Sequence, residues 1–77
     1  MIDQQEAITI AKKRLQRVCD SCELLKVSHS DNLEEFEEGI SGWRVWFRVE
    51  DRDFGTYDRP VEVSDVTREA RLVKILM

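Results

Sequence analysis

Cys19 and Cys22 bracket Asp20 and Ser21 in a C-x-x-C spacing, the arrangement used by thiol redox centres and zinc knuckles. Redox use requires the first thiol near the N-terminus of a helix, where the positive end of the helix dipole favours the thiolate. Here the helical pattern lies before the pair, so the dipole has the wrong sign. Structural zinc requires four ligands, and the donors that follow are His29 and a carboxylate such as Asp31. That mixed set, Cys19, Cys22, His29 and Asp31, defines the alternative reading: a metal- or thiol-dependent activity centred on Cys19, Cys22 and His29. The simpler expectation is two reduced cysteines packing as small hydrophobes near the helix end, with no cofactor. His29 is the only histidine, and no serine has an evident acid and base set around it. No nucleophilic machine can be assembled, and no enzyme is expected. Asp51, Asp53 and Glu62 fall at positions one, three and twelve of a calcium loop, but glycine is at the fifth place and no helices flank it, which leaves an ordinary strand turn.

Binding chemistry is better represented. Residues 31–38 carry Asp31, Glu34, Glu35, Glu37 and Glu38 with no base, so this stretch holds −5 of a net charge of −4. Carboxylates gathered in this way form either a solvated loop or a docking surface for a basic protein partner, with Glu34, Glu35, Glu37 and Glu38 steering the encounter. The acidic balance, 16 Asp and Glu against 12 Lys and Arg, argues against nucleic acid or an anionic membrane as partner. A second candidate surface is Trp46 between Arg44 and Arg48, a combination enriched in interface hot spots.

These groups must be positioned by few elements. Seventy-seven residues make one small domain, and 42% apolar content is enough for a core. Asp3 with Glu6 resembles a capping box, and Ile2 is placed to staple against Ala7. Ala7, Ile8, Ala11, Leu15, Val18, Cys19 and Cys22 share one face at helical spacing, so an amphipathic helix is predicted over about 3–19. Strands are predicted over about 22–29, 42–50, 57–64 and 70–77, with an acidic loop at 30–41 in which Leu33 and Phe36 could make one helical turn. Strict alternation from Trp43 to Glu50 places Trp43, Val45, Phe47 and Val49 on one face and Arg44, Trp46 and Arg48 on the other. Pro60 marks the third strand as an edge or an irregular start. Asp65-Val66-Thr67-Arg68 reads as a tight turn, and in the last strand Val73 and Ile75 oppose Leu72 and Leu76. Short connections force antiparallel neighbours. The expected fold is therefore α+β, an N-terminal helix on a four-stranded antiparallel sheet in the order α-β-β-β-β.

Within that order, Glu6-Ala7-Ile8-Thr9-Ile10-Ala11 opens the helix, Gly42 to Phe47 lies in mid-sheet, and Val61 to Ala70 precedes the last strand. Together these segments resemble the PepSY-type module and, more loosely, small cystatin-like immunity proteins. Asp65-Val66-Thr67-Arg68-Glu69 aligns with the family's Asp-x-Thr-Gly-Glu turn, with Arg68 in place of the glycine. The resemblance implies a helix on a curved antiparallel sheet and a non-catalytic, inhibitory or partner-binding role.

No apolar run approaches the roughly 20 residues that span a bilayer, and the N-terminus lacks the basic start and apolar stretch of a secretion signal, so the chain reads as cytoplasmic. A domain of this size buries only about 60% of its unfolded surface, which makes a homodimer through the outer sheet face an economical way to cover Trp46. The expected function is a small protein-interaction module, inhibitor- or immunity-like, acting through Arg44, Trp46 and Arg48 or the acidic loop.

Overall fold

The computed structural model describes residues 2–19, 21–53 and 55–73. One helix, α1 (Gln4–Leu15), precedes four strands, β1 (Cys22–Ser30), β2 (Gly42–Asp51), β3 (Gly55–Ser64) and β4 (Ala70–Leu72). The strands form a single antiparallel meander in the order β1-β2-β3-β4. The architecture is α+β, as the sequence pattern predicts.

The Asp3 carboxylate caps α1 by accepting the Glu6 N–H at 2.8 Å, and Ile2 and Ala7 are both buried. Ala7, Ala11 and Leu15 form the buried stripe, and two alanines let the helix backbone lie close to the sheet. The predicted helix runs too long. It ends at Leu15 and tightens into a turn in which Leu15 accepts from the Val18 and Cys19 N–H groups. Gln16, Arg17 and Val18 are exposed, Val18 by 57%, so extension past Leu15 would bury nothing.

The sheet face under α1 contributes Val45, Phe47, Val49, Val61 and Val63, all buried, to one continuous core. Trp43 is half-buried on that face and its indole N–H donates to the Ile2 carbonyl at 3.2 Å. Adjacent Leu24 and Leu25 break the alternation of β1 because the pairing with β2 shifts between Leu24 and Lys26. This bulge leaves both leucines exposed, 45% and 38%.

Pro60 has a different role from the one expected, because β3 lies inside the sheet between β2 and β4. The Pro60 carbonyl accepts the Val73 N–H at 3.1 Å, so its backbone points toward β4, where a ring nitrogen cannot donate in return. That missing donor coincides with the end of β4 at Leu72. Residues 74–77 of the predicted last strand, including Ile75 and Leu76, lie outside the described residues. Leu72 pairs with Val61 and therefore belongs to the face under α1.

Candidate functional site

The β2–β3 hairpin closes with Asp51 opposite Gly55, whose φ of 78° suits glycine, and this register sets Arg44 across from Glu62 on the face away from α1. Glu62 is wholly buried there. Its Oε2 accepts from Arg44 Nη2 at 2.7 Å and Arg44 Nε at 3.2 Å. Two consecutive backbone donors complete the shell, Glu34 N–H to Oε2 at 3.1 Å and Glu35 N–H to Oε1 at 2.7 Å. The acidic loop is thus pinned by its backbone to a carboxylate on the sheet.

Other contacts fold the loop onto the same face. Leu33 is buried, and its N–H donates to the Ile40 carbonyl at 2.9 Å. Gly39 N–H donates to Asn32 Oδ1 at 3.2 Å. Residues 31–41 form bends and turns without the helical turn considered at Leu33 and Phe36. The backbone N–H groups of 34 and 35 serve Glu62, and the Leu33 N–H closes on Ile40 across the loop, so these three donors do not enter a helical ladder. At the outer side, Arg71 donates to the Glu35 carbonyl at 2.7 Å and stacks 4.4 Å above the Phe36 ring. Gly42 lets Leu33 seat close against β2, because a Cβ there would meet the Val63 carbonyl oxygen and sit 2.8 Å from Leu33 Cδ1.

The predicted partner-binding residues therefore divide. Arg44 is engaged with Glu62, and Glu34 Oε1 stands 3.7 Å from its guanidinium. Glu34, Glu37 and Glu38 are exposed and Glu35 is half-buried. Trp46 is half-buried, set across from Lys26 of β1 and Pro60 of β3, with Lys26 Nζ 5.0 Å from the ring centroid. Arg48 faces Asp58 at 3.8 Å, a surface pair worth little. The loop thus covers the Arg44–Glu62 half of the outer face and leaves the Trp46–Arg48 half at the surface.

The metal candidates are not brought together. Cys19 and Cys22 are half-buried thiols packed against the core at one end of β1. His29 lies near the other end of that strand, about 23 Å away at the usual strand rise. Its Nε2 meets Asp65 Oδ2 at 2.8 Å, its ring stands edge-on to Trp43 at 5.0 Å, and Asp31 is exposed in the loop. Among the described residues no three His, Cys, Asp or Glu side chains gather as a metal site.

Glu62 and Asp65 are the two polar anchors that sequence reasoning missed. Glu62 was legible in principle: Arg44 stands seven residues before Asp51 and Glu62 seven after Gly55, so a three-residue hairpin loop sets opposite charges in register. Asp65 carried no such signal, since its partners His29 and Ser41 lie on either side of the β1–β2 loop, more than 20 residues before it.

The scan against protein-family models and the searches of curated proteins and of solved structures find no match for this chain. No helix among the described residues is long and apolar enough to cross a membrane.

Proposed function

We propose that this chain is a small non-catalytic interaction module, inhibitor- or immunity-like, that binds a protein partner through the Trp46 half of its outer sheet face, with the acidic loop as a charged rim. The observation that carries the reading is the unequal treatment of the two halves. One half has its charges neutralised and its surface covered by the loop, whereas the other keeps a tryptophan at the surface among Lys26, Arg48 and Asp58. A half-exposed tryptophan flanked by cationic stems suits an interface centre. The exposed Glu34, Glu37 and Glu38 suit a basic rim on the partner. The PepSY-type resemblance is supported at one further point: Arg68 has a φ of 63°, the left-handed conformation that the family's glycine would favour in the same turn.

The experiment uses the full chain with a photo-crosslinker at position 48, incubated in extract of the source organism beside the same protein carrying Trp46→Ala. A partner captured by the first and lost with the second, while circular dichroism is unchanged, is the expected result. With that partner purified, changing Glu34, Glu35, Glu37 and Glu38 to Gln slows association at low salt, and the difference closes as salt rises. Capture that is indifferent to Trp46→Ala refutes the sheet-face reading. Sedimentation of the wild type as a dimer that Trp46→Ala dissociates identifies the partner as a second copy.

A further inference from the structure

Away from the outer face, α1 and β4 enclose an open groove of about 490 Å³, lined by Ile10, Lys13, Arg14 and Arg17 on one wall and by 68–71 on the other. Ile10, Lys13 and Arg14 are spaced i, i+3 and i+4 on one stripe of the helix, and Arg17 follows in the turn after its end. The facing wall adds Arg68, while the Arg71 side chain turns to the outer face to meet Phe36 and the Glu35 carbonyl. Four cations, Lys13, Arg14, Arg17 and Arg68, thus face the groove, and its one lining carboxylate, Glu69, is engaged by Arg71 at 3.1 and 3.2 Å. Arg68 is paired with Glu6 at 3.2 Å, but Lys13, Arg14 and Arg17 have no ion-pair partner among the described residues. Helix-dipole complementarity accounts for basic residues in the last turn of α1. It does not account for Arg17 beyond the helix end, or for Arg68 on the opposite wall.

Among the described residues, the groove also runs beside a sheet edge with no further strand on it. Glu69 accepts from Ser64 and Val73 donates to Pro60, so residues 69, 71 and 73 point their backbone groups at β3. By antiparallel alternation, Ala70 and Leu72 point theirs to the free edge. A strand laid there gains backbone hydrogen bonds while its side chains enter the basic groove.

We propose that this groove binds an extended acidic segment of another protein, which adds as a strand along β4. The commitment to an acidic peptide rests on charge complementarity within a protein of net charge −4, where only a local concentration of cations can draw in an anion. The acidic loop of a second copy fits poorly, because Leu33 and the Glu62 carboxylate hold it in a compact shape. This surface is separate from the Trp46 face, and the two readings stand or fall independently.

The probe is an acetylated, amidated seven-residue peptide alternating glutamate and valine, titrated into the full-length protein by fluorescence anisotropy, with the glutamine-for-glutamate peptide as control. The acidic peptide binds, the neutral one binds at least about tenfold more weakly, and added salt narrows the gap. Neutralising Lys13, Arg14 and Arg17 to Gln costs about tenfold in affinity with the helical signal retained, since these side chains take no part in the core. Ala70→Pro removes an outward N–H without touching the β3–β4 ladder, and it reduces binding of the acidic peptide by a similar factor while leaving the melting curve in place. Four outcomes overturn the proposal: no binding at millimolar peptide, equal binding of the two peptides, full binding by Ala70→Pro, or displacement of the peptide by an equal concentration of a single-stranded oligonucleotide. A dimer that dissociates when Lys13, Arg14 and Arg17 are neutralised also overturns it, by assigning the groove to a second copy.

Discussion

Glu62→Gln is the most informative single change, because it removes one charge and one acceptor with almost no change of shape. The Glu62 carboxylate takes four donor contacts, three on Oε2 and one on Oε1. Glutamine has one acceptor oxygen. Its best orientation keeps that oxygen toward Arg44 and Glu34 N–H and turns the amide NH2 against the Glu35 N–H, which then lacks an acceptor. An unmatched buried donor costs about 1–3 kcal/mol. Arg44 at the same time loses a buried counter-charge 2.7 Å away and keeps only Glu34 at 3.7 Å. The sum falls at about 3–4 kcal/mol, inside the range for breaking one side of a buried pair. In a domain of this size each kcal/mol moves the melting midpoint by about 4–8 °C, so a fall of at least about 12 °C is expected. Thermal melts followed by circular dichroism measure it, and amide exchange locates it: the Glu34 and Glu35 amides exchange faster while the Val45 and Val61 amides retain their relative protection. The double change Arg44→Met with Glu62→Leu recovers most of the midpoint but leaves those two loop amides fast, since an apolar pair offers them no acceptor. A midpoint shift below about 4 °C, or unchanged exchange at Glu34 and Glu35, refutes the assignment of Glu62 as the loop's anchor.

Three further changes test other joints of the fold. Gly42→Ala drives a methyl group into the Val63 carbonyl and Leu33 Cδ1, and overpacking of that kind costs at least about 2 kcal/mol, read in urea unfolding at constant slope. Arg68→Gly relieves a left-handed backbone worth about 1–2 kcal/mol, partly offset by the greater freedom of glycine in the unfolded chain, and it raises stability by about 0.5–1 kcal/mol even though the surface pair with Glu6 is lost. Trp43→Ala removes both a large half-buried side chain packed against the core and the hydrogen bond to Ile2, and it destabilises by about 3 kcal/mol, whereas Val18→Ala, at an exposed position past the helix end, stays within about 0.5 kcal/mol.

The parts of the fold legible in the sequence are those written in local periodicity. Alternation from Trp43 to Val49 fixed the two faces of β2, and Asp3 with Glu6 marked the start of α1. The parts that were not legible depend on partners distant in the chain. The end of α1 at Leu15 is decided by which residues reach the sheet, which helical periodicity carried on to Cys19 does not register. Leu24 and Leu25 gave a visible irregularity, but only the pairing with Phe47 and Trp46 identifies it as a bulge. Charges dominate the composition of the acidic stretch, which leaves a solvated loop and a docking surface both open. The conformation of the stretch is set by Leu33 and by two backbone N–H groups, neither of which carries a charge that a composition count would register.

The placement of Glu62 between Val61 and Val63 also fixes the sheet. Side chains alternate strictly along β3, so slipping its register by one residue would turn Glu62 under α1 and carry both valines out of the core. Such a slip would strand a carboxylate among Ala7, Ala11 and Leu15 and leave Arg44 facing a valine. The native register satisfies three demands at once: it matches the charges across β2 and β3, supplies an acceptor to two loop amides, and keeps the valines against the helix. Arg71 extends the same arrangement to β4, because its side chain meets Phe36 and the Glu35 carbonyl from the strand that pairs with Glu62. The loop, the central hairpin and the edge strand are therefore tied by one polar cluster on the outer face, while the apolar core ties them to α1 on the other. An isolated salt bridge at the surface would add little, but a carboxylate that organises three segments is a condition for the loop to present its glutamates in one place.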